Sequence, residues 1–312
     1  MGLITMNFNN KKSAPTLFDR DKKMAELLSI GKKISDAYSR LPQFRGSIIS
    51  GSVARGCCDA KSDIEMEIFY EDVLPTKKQI TGIITALDGK LSRSKNVHWF
   101  HPAWGYHSFF VVDNIKIELG YREINETFQR MKEFCHKFKL PIHGIHDTPF
   151  GYYESGLASY FDESLIIEDT AGKIKKIKDL VSIYPEKIRI ITTAYYFKDA
   201  KIFTTVKLRQ AVERNDLFQF NSCLARVIRS LNICLFALNK KYFPGDKWNH
   251  LYIEKFLIKP QDYDEILKMV FSKSDYELFN KKAKYQLIKK LIAETEILIK
   301  KEGINLRKNW YE

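Results

Sequence analysis

The chain has 312 residues, 45% of them apolar, which is enough for one large domain or two ordinary ones around proper cores. Its five cysteines form no CxxC pair and include the neighbours Cys57 and Cys58, which argues against a disulfide framework or zinc site and for a reducing compartment. The formal net charge of +13 predicts an anionic partner, yet residues 51–150 carry 13 basic and 13 acidic side chains, and the excess falls in residues 1–50 (9 basic, 4 acidic) and 201–250 (9 basic, 3 acidic).

Residues 1–15 are loose and polar. From Leu17 to Leu41 the apolar residues Met24, Leu27, Leu28, Ile30, Ile34 and Tyr38 recur at helical spacing. FRGSIISG (44–51) is a β-rich run ending in glycine. SDIEMEIFY (62–70) alternates strictly, with Ile64, Met66 and Ile68 on one side and Asp63, Glu65 and Glu67 on the other. Pro75 opens a helical stretch to about Leu91. Residues 107–121 read as a hairpin around Asp113-Asn114, and a helix follows over 122–137. The Pro-, Gly- and His-rich stretch 141–153 marks a boundary. Helical patterns then run through 174–183, 186–199, 203–214, 217–239, 249–257, 260–271 and 276–301. The expected fold is therefore α+β: a first domain over 1–145, with a small mixed sheet and flanking helices, then an all-helical domain over 146–312.

VIRSLNICLFAL (227–238) is short and contains Arg229 and Asn232, so it reads as a buried helix rather than a membrane span. With no charged-then-apolar leader at the N-terminus, the expected location is the cytoplasm, away from membranes. The one dense basic run, KKAKYQLIKK (281–290), reads as a solvated helix face. No nucleic-acid-reading motif accompanies it, which disfavours a nucleic-acid partner.

The chemistry concentrates in GSVARGCCDAKSDIEME (51–67). Alternation points Asp63 and Glu65 the same way, roughly 7 Å apart along a strand. Two carboxylates that close repel unless a cation sits between them, and Mg²⁺ takes hard oxygen ligands together with substrate phosphates. The plain alternative is a solvated strand face. Gly51-Ser52 directly follows a predicted strand: the glycine lets backbone approach a phosphate, Ser52 adds a hydroxyl donor, and Arg55 adds positive charge one turn on. Each of these features alone fits an ordinary turn. Together they describe a site for a nucleoside triphosphate with Mg²⁺. Metal-assisted phosphoryl transfer also needs a group to take a proton, and Glu118 in IKIELGY is the candidate third acid. Glu123 and Glu126 read as surface residues of the next helix.

Gly-Ser, a short loop, Asp-x-Glu on a strand and a later strand acid together resemble the polymerase-β-like nucleotidyltransferase superfamily. Within it the likeness is to the kanamycin (aminoglycoside) and lincosamide nucleotidyltransferases. The shared loop pattern, Gly-Ser-x-x-Arg ending in Ser-Asp-Ile-Glu-Met, falls here on Gly51, Ser52, Arg55 and Ser62 to Met66. Residues 165–185 and 235–248 resemble segments of the helical half of that group. The resemblance implies transfer of a nucleoside monophosphate, AMP from ATP in the first instance, to a hydroxyl of a small-molecule acceptor of the aminoglycoside or lincosamide type. It implies Asp63, Glu65 and Glu118 as Mg²⁺ ligands, with Glu118 as ligand, general base or both. Gly51, Ser52 and Arg55 would hold the triphosphate, and Lys247 in the PGDKW turn would supply the charge that the neutral first domain lacks. Lys207 and Arg209 are weaker candidates for that role.

Relatives can place the acceptor between two subunits, so a homodimer is expected. The sequence departs from the pattern in its long gap before Glu118, with an insertion over 71–105. It also departs in the extra acid Glu67, expected to point away from the metals. Relatives add a base from the helical domain, for which Glu213 is the candidate against an exposed helix acid, and Asp216 is an expected N-cap. Trp99, Trp104 and Tyr106 either stack a ring or pack the core, and His101 and His107 read as structural or pocket polar groups. Rival readings are a toxin-like transferase acting on protein or tRNA, an oligonucleotide or cyclic-nucleotide synthase, and a nucleotide-binding relative without activity.

Overall fold

The alternation over residues 62–70 becomes strand β2 (Ile64–Tyr70), the centre of a seven-stranded mixed sheet. The computed structural model describes residues 19–91, 97–101, 105–137, 154–271 and 277–306. The other strands are β1 (Phe44–Ile49), β3 (Lys90–Leu91), β4 (Trp99–His101), β5 (Gly105–Val112), β6 (Ile115–Glu123) and β7 (Leu165–Asp169). Their order is β3-β5-β6-β2-β1-β7, with β4 also paired to β5. β2 and β6 run parallel, and the remaining pairs are antiparallel. The β5–β6 hairpin closes as the sequence predicts. Asp113 and Asn114 both take positive φ (49° and 64°), the handedness that matches the twist of the flanking strands.

One face of the sheet is covered by α1 (Arg20–Tyr38) and α3 (Lys77–Ala86). Leu27, Ile30, Ile34 and Tyr38 pack there with Ile64, Met66, Ile68, Phe110 and Leu119. Asp19 caps α1 through the Lys22 N–H (3.0 Å), and Thr76 with Gln79 forms a capping box on α3. α3 ends at Ala86 rather than near Leu91, because Asp88 turns left-handed (φ 53°) and the chain re-enters the sheet as β3.

The opposite face is partly covered by α4 (Ile124–His136), α5 (Glu154–Glu163), α6 (Lys173–Ser182) and α7 (Glu186–Ile202). Their apolar residues, including Met131, Phe161 and Ile177, close over Ile48 and Phe69. Toward the start of β2 the same face opens, and Glu65 and Glu118 reach solvent. The short α2 (Gly51–Ala54) sits at this open end.

Beyond α7 the chain is helical: a π-helical turn (Phe203–Leu208), α8 (Arg209–Glu213), α9 (Leu217–Leu238), α10 (Asn249–Ile253), α11 (Tyr263–Phe271) and α12 (Glu277–Lys301). By length and composition α9 suffices to cross a membrane, but 78% of its most apolar stretch is buried inside the fold. Asp216 is its N-cap, accepting from the Gln219 N–H at 2.9 Å.

The boundary near residue 145 lies outside the described residues. β7 differs from the sequence expectation, since LIIED lies in the helical half yet pairs with β1 of the first. A five-residue edge strand with two exposed apolar residues, Leu165 and Ile166, has no clean alternation to read, and its partner is more than a hundred residues away.

The hairpin turn gives a direct test of the sheet. Asn114→Val puts a β-branched side chain at φ 64° and should destabilise the protein by about 1–2 kcal/mol. Urea unfolding measures this, and an unchanged midpoint would mean that the turn does not hold the hairpin.

Candidate active site

The parallel register of β2 and β6 sets Glu65 beside Glu118 and Glu67 beside Gly120. Asp63 stands two residues before Glu65, just ahead of the strand. The loop after β1 is pressed against this row. The Ser50 N–H donates to the Glu65 carbonyl (2.9 Å). Gly51 has φ 66°, and a Cβ there would lie 2.2 Å from Glu65 Oε2. Only glycine satisfies both the left-handed backbone and this close approach.

The loop then folds on itself. The Cys57 N–H donates to the Ser52 carbonyl (3.0 Å), Ser52 Oγ donates to Ser62 Oγ (3.3 Å), and Ser62 Oγ accepts from the Asp59 N–H (2.8 Å). Ser52 is thereby held beside the residue that precedes Asp63.

The acids share one field. Loss of hydration, followed by the charges of Glu65, Asp63 and Glu67, pushes Glu118 up to about 7, with Lys247 pulling the other way. Glu65 is also raised, by loss of hydration first and then by Asp63, while Arg55 and Lys247 oppose the shift. The structure thus brings Asp63, Glu65, Glu118, Gly51, Ser52, Arg55 and Lys247 to one open end of the sheet. Lys247 arrives from the other half of the chain, on a turn through left-handed Gly245 (φ 120°) and Trp248 (φ 61°).

Among the described residues no group of three His, Cys, Asp or Glu side chains is drawn together as a ready-made metal site. The donor set is nonetheless all hard carboxylate oxygen, and the charges of Glu65 and Asp63 add to the loss of hydration that lifts Glu118. Asp63, Glu65 and Glu118 fit Mg²⁺ on both counts.

The expectation for Glu67 is corrected. It shares a side of β2 with Glu65, but it is 4% exposed and bound by Arg122 Nη2 at 3.0 Å. Gly120 makes room for it, since a Cβ there would meet its carboxylate at 2.3 Å. Glu213 is exposed on α8 and pairs with Arg209 of the same helix at 3.6 Å, so neither charge is directed at the cluster. Lys207 lies exposed on the π-helical turn, where its charge acts on Cys223. Trp104 and the side chain of His101 lie outside the described residues. His107 is buried.

Four residues join the site without having been singled out from the sequence. Arg122 continues the alternation Glu118, Gly120, Arg122, a readable signal. Tyr160 lies close enough to Glu67 and Glu65 for their charges to raise its hydroxyl, which burial raises most. Tyr252 donates to Glu163 at 2.6 Å, and Glu163 meets Arg55 at 3.9 Å. These last partners lie more than a hundred residues from the loop they support, and no local pattern marks them.

Residues 152–249 match a family model described as a domain of unknown function, DUF4037. The matched segment includes Tyr160, Glu163 and Lys247. No curated protein matches the chain. Among solved structures the chain is similar to a nucleotidyltransferase-like protein from Exiguobacterium sibiricum 255-15, at 10% identity over 89% of this chain and 75% of that one, with a TM-score of 0.41.

The raised Glu118 carboxyl makes stability depend on pH with a definite sign. Its folded-state value of about 7 exceeds the ordinary 4.5, so the fold favours the protonated form. That contribution is complete below pH 4.5 and is lost as pH rises to about 7. Glu118→Gln, neutral throughout, should match the native protein's Tm at pH 4 in EDTA and exceed it above pH 7. A Tm difference that does not change with pH would show that neither burial nor the other acids raise Glu118.

Proposed function

We propose that the protein is a Mg²⁺-dependent nucleotidyltransferase, moving a nucleoside monophosphate from a nucleoside triphosphate such as ATP to a hydroxyl of a small-molecule acceptor. The observation that carries this reading is the meeting of Asp63, Glu65 and Glu118 with the Gly51-Ser52 loop and Lys247 at one open sheet end. Asp63, Glu65 and Glu118 would hold the cation, whose chemistry is to offset charge on the phosphoryl oxygens. The Ser52 hydroxyl and the backbone around Gly51 receive the triphosphate tail. Arg55 and Lys247 add the positive charge that four neighbouring acids make necessary.

In the transfer, the acceptor oxygen bonds to the α-phosphorus, the bond to pyrophosphate breaks, and the acceptor's proton passes to Glu118. Loss of hydration and the neighbouring acids raise Glu118 in the metal-free protein, which favours it over an ordinary carboxylate as the proton's destination. The proposed division of labour follows the two halves of the chain: residues 1–145 bring the acids and the loop, and residues 146–312 bring Lys247 and the contacts that hold Arg55. The acceptors to try first are aminoglycosides and lincosamides, on the strength of the loop resemblance.

Mass spectrometry of products made with Mg²⁺, ATP or GTP and pooled drugs of those two classes tests the reading. An adduct of one nucleoside monophosphate is expected, and Asp63→Asn should lower its yield at least about a thousandfold while leaving the unfolding transition in place. An adduct formed equally well by Asp63→Asn would overturn the site assignment. A product built from nucleotides alone would overturn the acceptor class.

A further inference from the structure

The short turn that carries Ser52 is held at both ends. At its start Gly51 is pressed against the Glu65 carboxylate, with no room for a Cβ. At its end the Arg55 N–H donates to the Gly51 carbonyl (3.2 Å), so Arg55 closes the turn. The Arg55 side chain then leaves the first half of the chain and meets the second. Its Nη1 lies 3.9 Å from Glu163 Oε2, and the same oxygen accepts from the Tyr252 hydroxyl at 2.6 Å.

Both partners are fixed from behind. Glu163 is the last residue of α5, and Lys178 gathers the carbonyls of that helix end. Its Nζ donates to Phe161 (3.1 Å), Asp162 (2.7 Å) and Ser164 (2.8 Å). A cation there also suits the negative end of the helix. The Tyr252 ring lies 5.2 Å from the Phe236 ring of α9, and Asn249 and Ile253 bury the other side of α10. Support thus runs from the helical core through Tyr252 and Glu163 to Arg55.

Stability does not account for this arrangement. The Arg55–Glu163 distance is at the limit of ion pairing, and among the described residues Arg55 Nε is buried without a hydrogen-bond partner. A pair satisfied so poorly is a weak source of stability. As a charge alone, Glu163 would also repel a triphosphate at the turn. Its value lies in direction, because a guanidinium is planar and its donors form a fixed fork that works only when it faces the phosphate.

We propose that Glu163 and Tyr252 are positioning residues for the nucleotide: they hold Arg55, and with it the Gly51–Arg55 turn, in the orientation that receives the triphosphate. The sign of the effect is then the opposite of what charge predicts, since loss of the Glu163 charge weakens nucleotide binding. The triphosphate role rests on the nucleotidyl-transfer reading, but the hold on the turn does not.

Two measurements on the full chain test this. Calorimetry with Mg²⁺ and α,β-methylene-ATP reads nucleotide affinity, and hydrogen exchange over residues 51–58 without ligand reads the turn. Arg55→Ala should weaken the nucleotide about thirtyfold, the size of one charge-assisted hydrogen bond. Tyr252→Phe and Glu163→Gln should each weaken it about fivefold, and Glu163→Asp, which keeps the charge, should recover part of that loss. In an Arg55→Ala background neither Tyr252→Phe nor Glu163→Gln should cost more than about 1.5-fold, because residues that act through Arg55 lose their effect with it. A merely structural role would keep its cost there. Tyr252→Phe and Glu163→Gln should also speed exchange over residues 51–58 at least about threefold while leaving β6 unchanged.

Tighter nucleotide binding by Glu163→Gln would overturn the proposal, because charge would then outweigh direction. An undiminished loss in the Arg55→Ala background would overturn it as well, by showing a route other than Arg55. Failure of the native protein to bind the nucleotide would count against the nucleotidyl-transfer reading and remove the triphosphate role with it. The exchange measurement would then decide the hold on the turn, which unchanged rates in both variants would overturn.

Discussion

The repulsion among carboxylates on two parallel strands is the constraint on which the site depends. Glu65 and Glu118 are neighbours by register, Asp63 precedes them, and Glu67 lies one step further in. Left to themselves these groups would splay apart or stay protonated. The fold prevents the first by placing them on the central pair of a seven-stranded sheet, whose other face is sealed by α1 and α3. It only partly prevents the second, as the raised Glu118 carboxyl shows. Loss of hydration raises it first and the neighbouring charges second, and on the proposed function a bound cation would offset both. Glu67 and Arg122 fit this account better than a stabilising one. Among the described residues Glu67 Oε2 and Arg122 Nε are buried without hydrogen-bond partners, and a half-satisfied buried pair is a poor source of stability. What the pair does supply is a negative charge beneath Glu65 and Glu118, held by one counter-charge and packed against Gly120.

The two halves of the chain meet where that charge is managed. Arg55, on the loop of the first half, faces Glu65 in one direction and Glu163 in the other. Glu163 ends α5 and takes a short hydrogen bond from Tyr252 of α10. Lys247 lies on the turn that leads into α10, so the chain segment that fixes Glu163 also delivers a cation to the acids. β7 adds a second tie, because a strand of the later half completes the sheet beside β1. A boundary drawn by composition alone would separate elements that touch at the open end of the sheet.

Much of this arrangement is legible in the sequence, for a physical reason in each case. Strict alternation over 62–70 gives β2 and the facing of its acids, because side-chain direction on a strand has a period of two. Asp113-Asn114 gives the hairpin, because both residues tolerate positive φ. The helices from α6 to α12 follow from their apolar spacing. The parts that are not legible depend on contacts across the fold. Nothing near Glu163 or Tyr252 announces Arg55 as a partner, and LIIED is too short and too exposed to read as a strand without its neighbour. Of its two sequence readings, base or exposed helix acid, Glu213 is the exposed helix acid, and its helix neighbour Arg209 pairs with it at i,i+4 spacing.

On the proposed function, the order of the strands is also an order of chemical tasks. Read across the open face, β1 leads into the loop with Gly51 and Ser52, β2 carries Glu65, and β6 carries Glu118. Because neighbouring strands keep a fixed spacing, the distances between these tasks are set by backbone hydrogen bonds rather than by flexible side chains. Among the described residues Arg55, Lys247 and Tyr160 reach the row from outside the strands, and the first two are cations, the charge the row lacks. The sheet thus fixes positions within the row, while the helical half tunes its charge. A change in α10 or in the PGDKW turn should therefore alter the electrostatics of the acids without moving them, because their spacing is held on the far side of the sheet by α1 and α3.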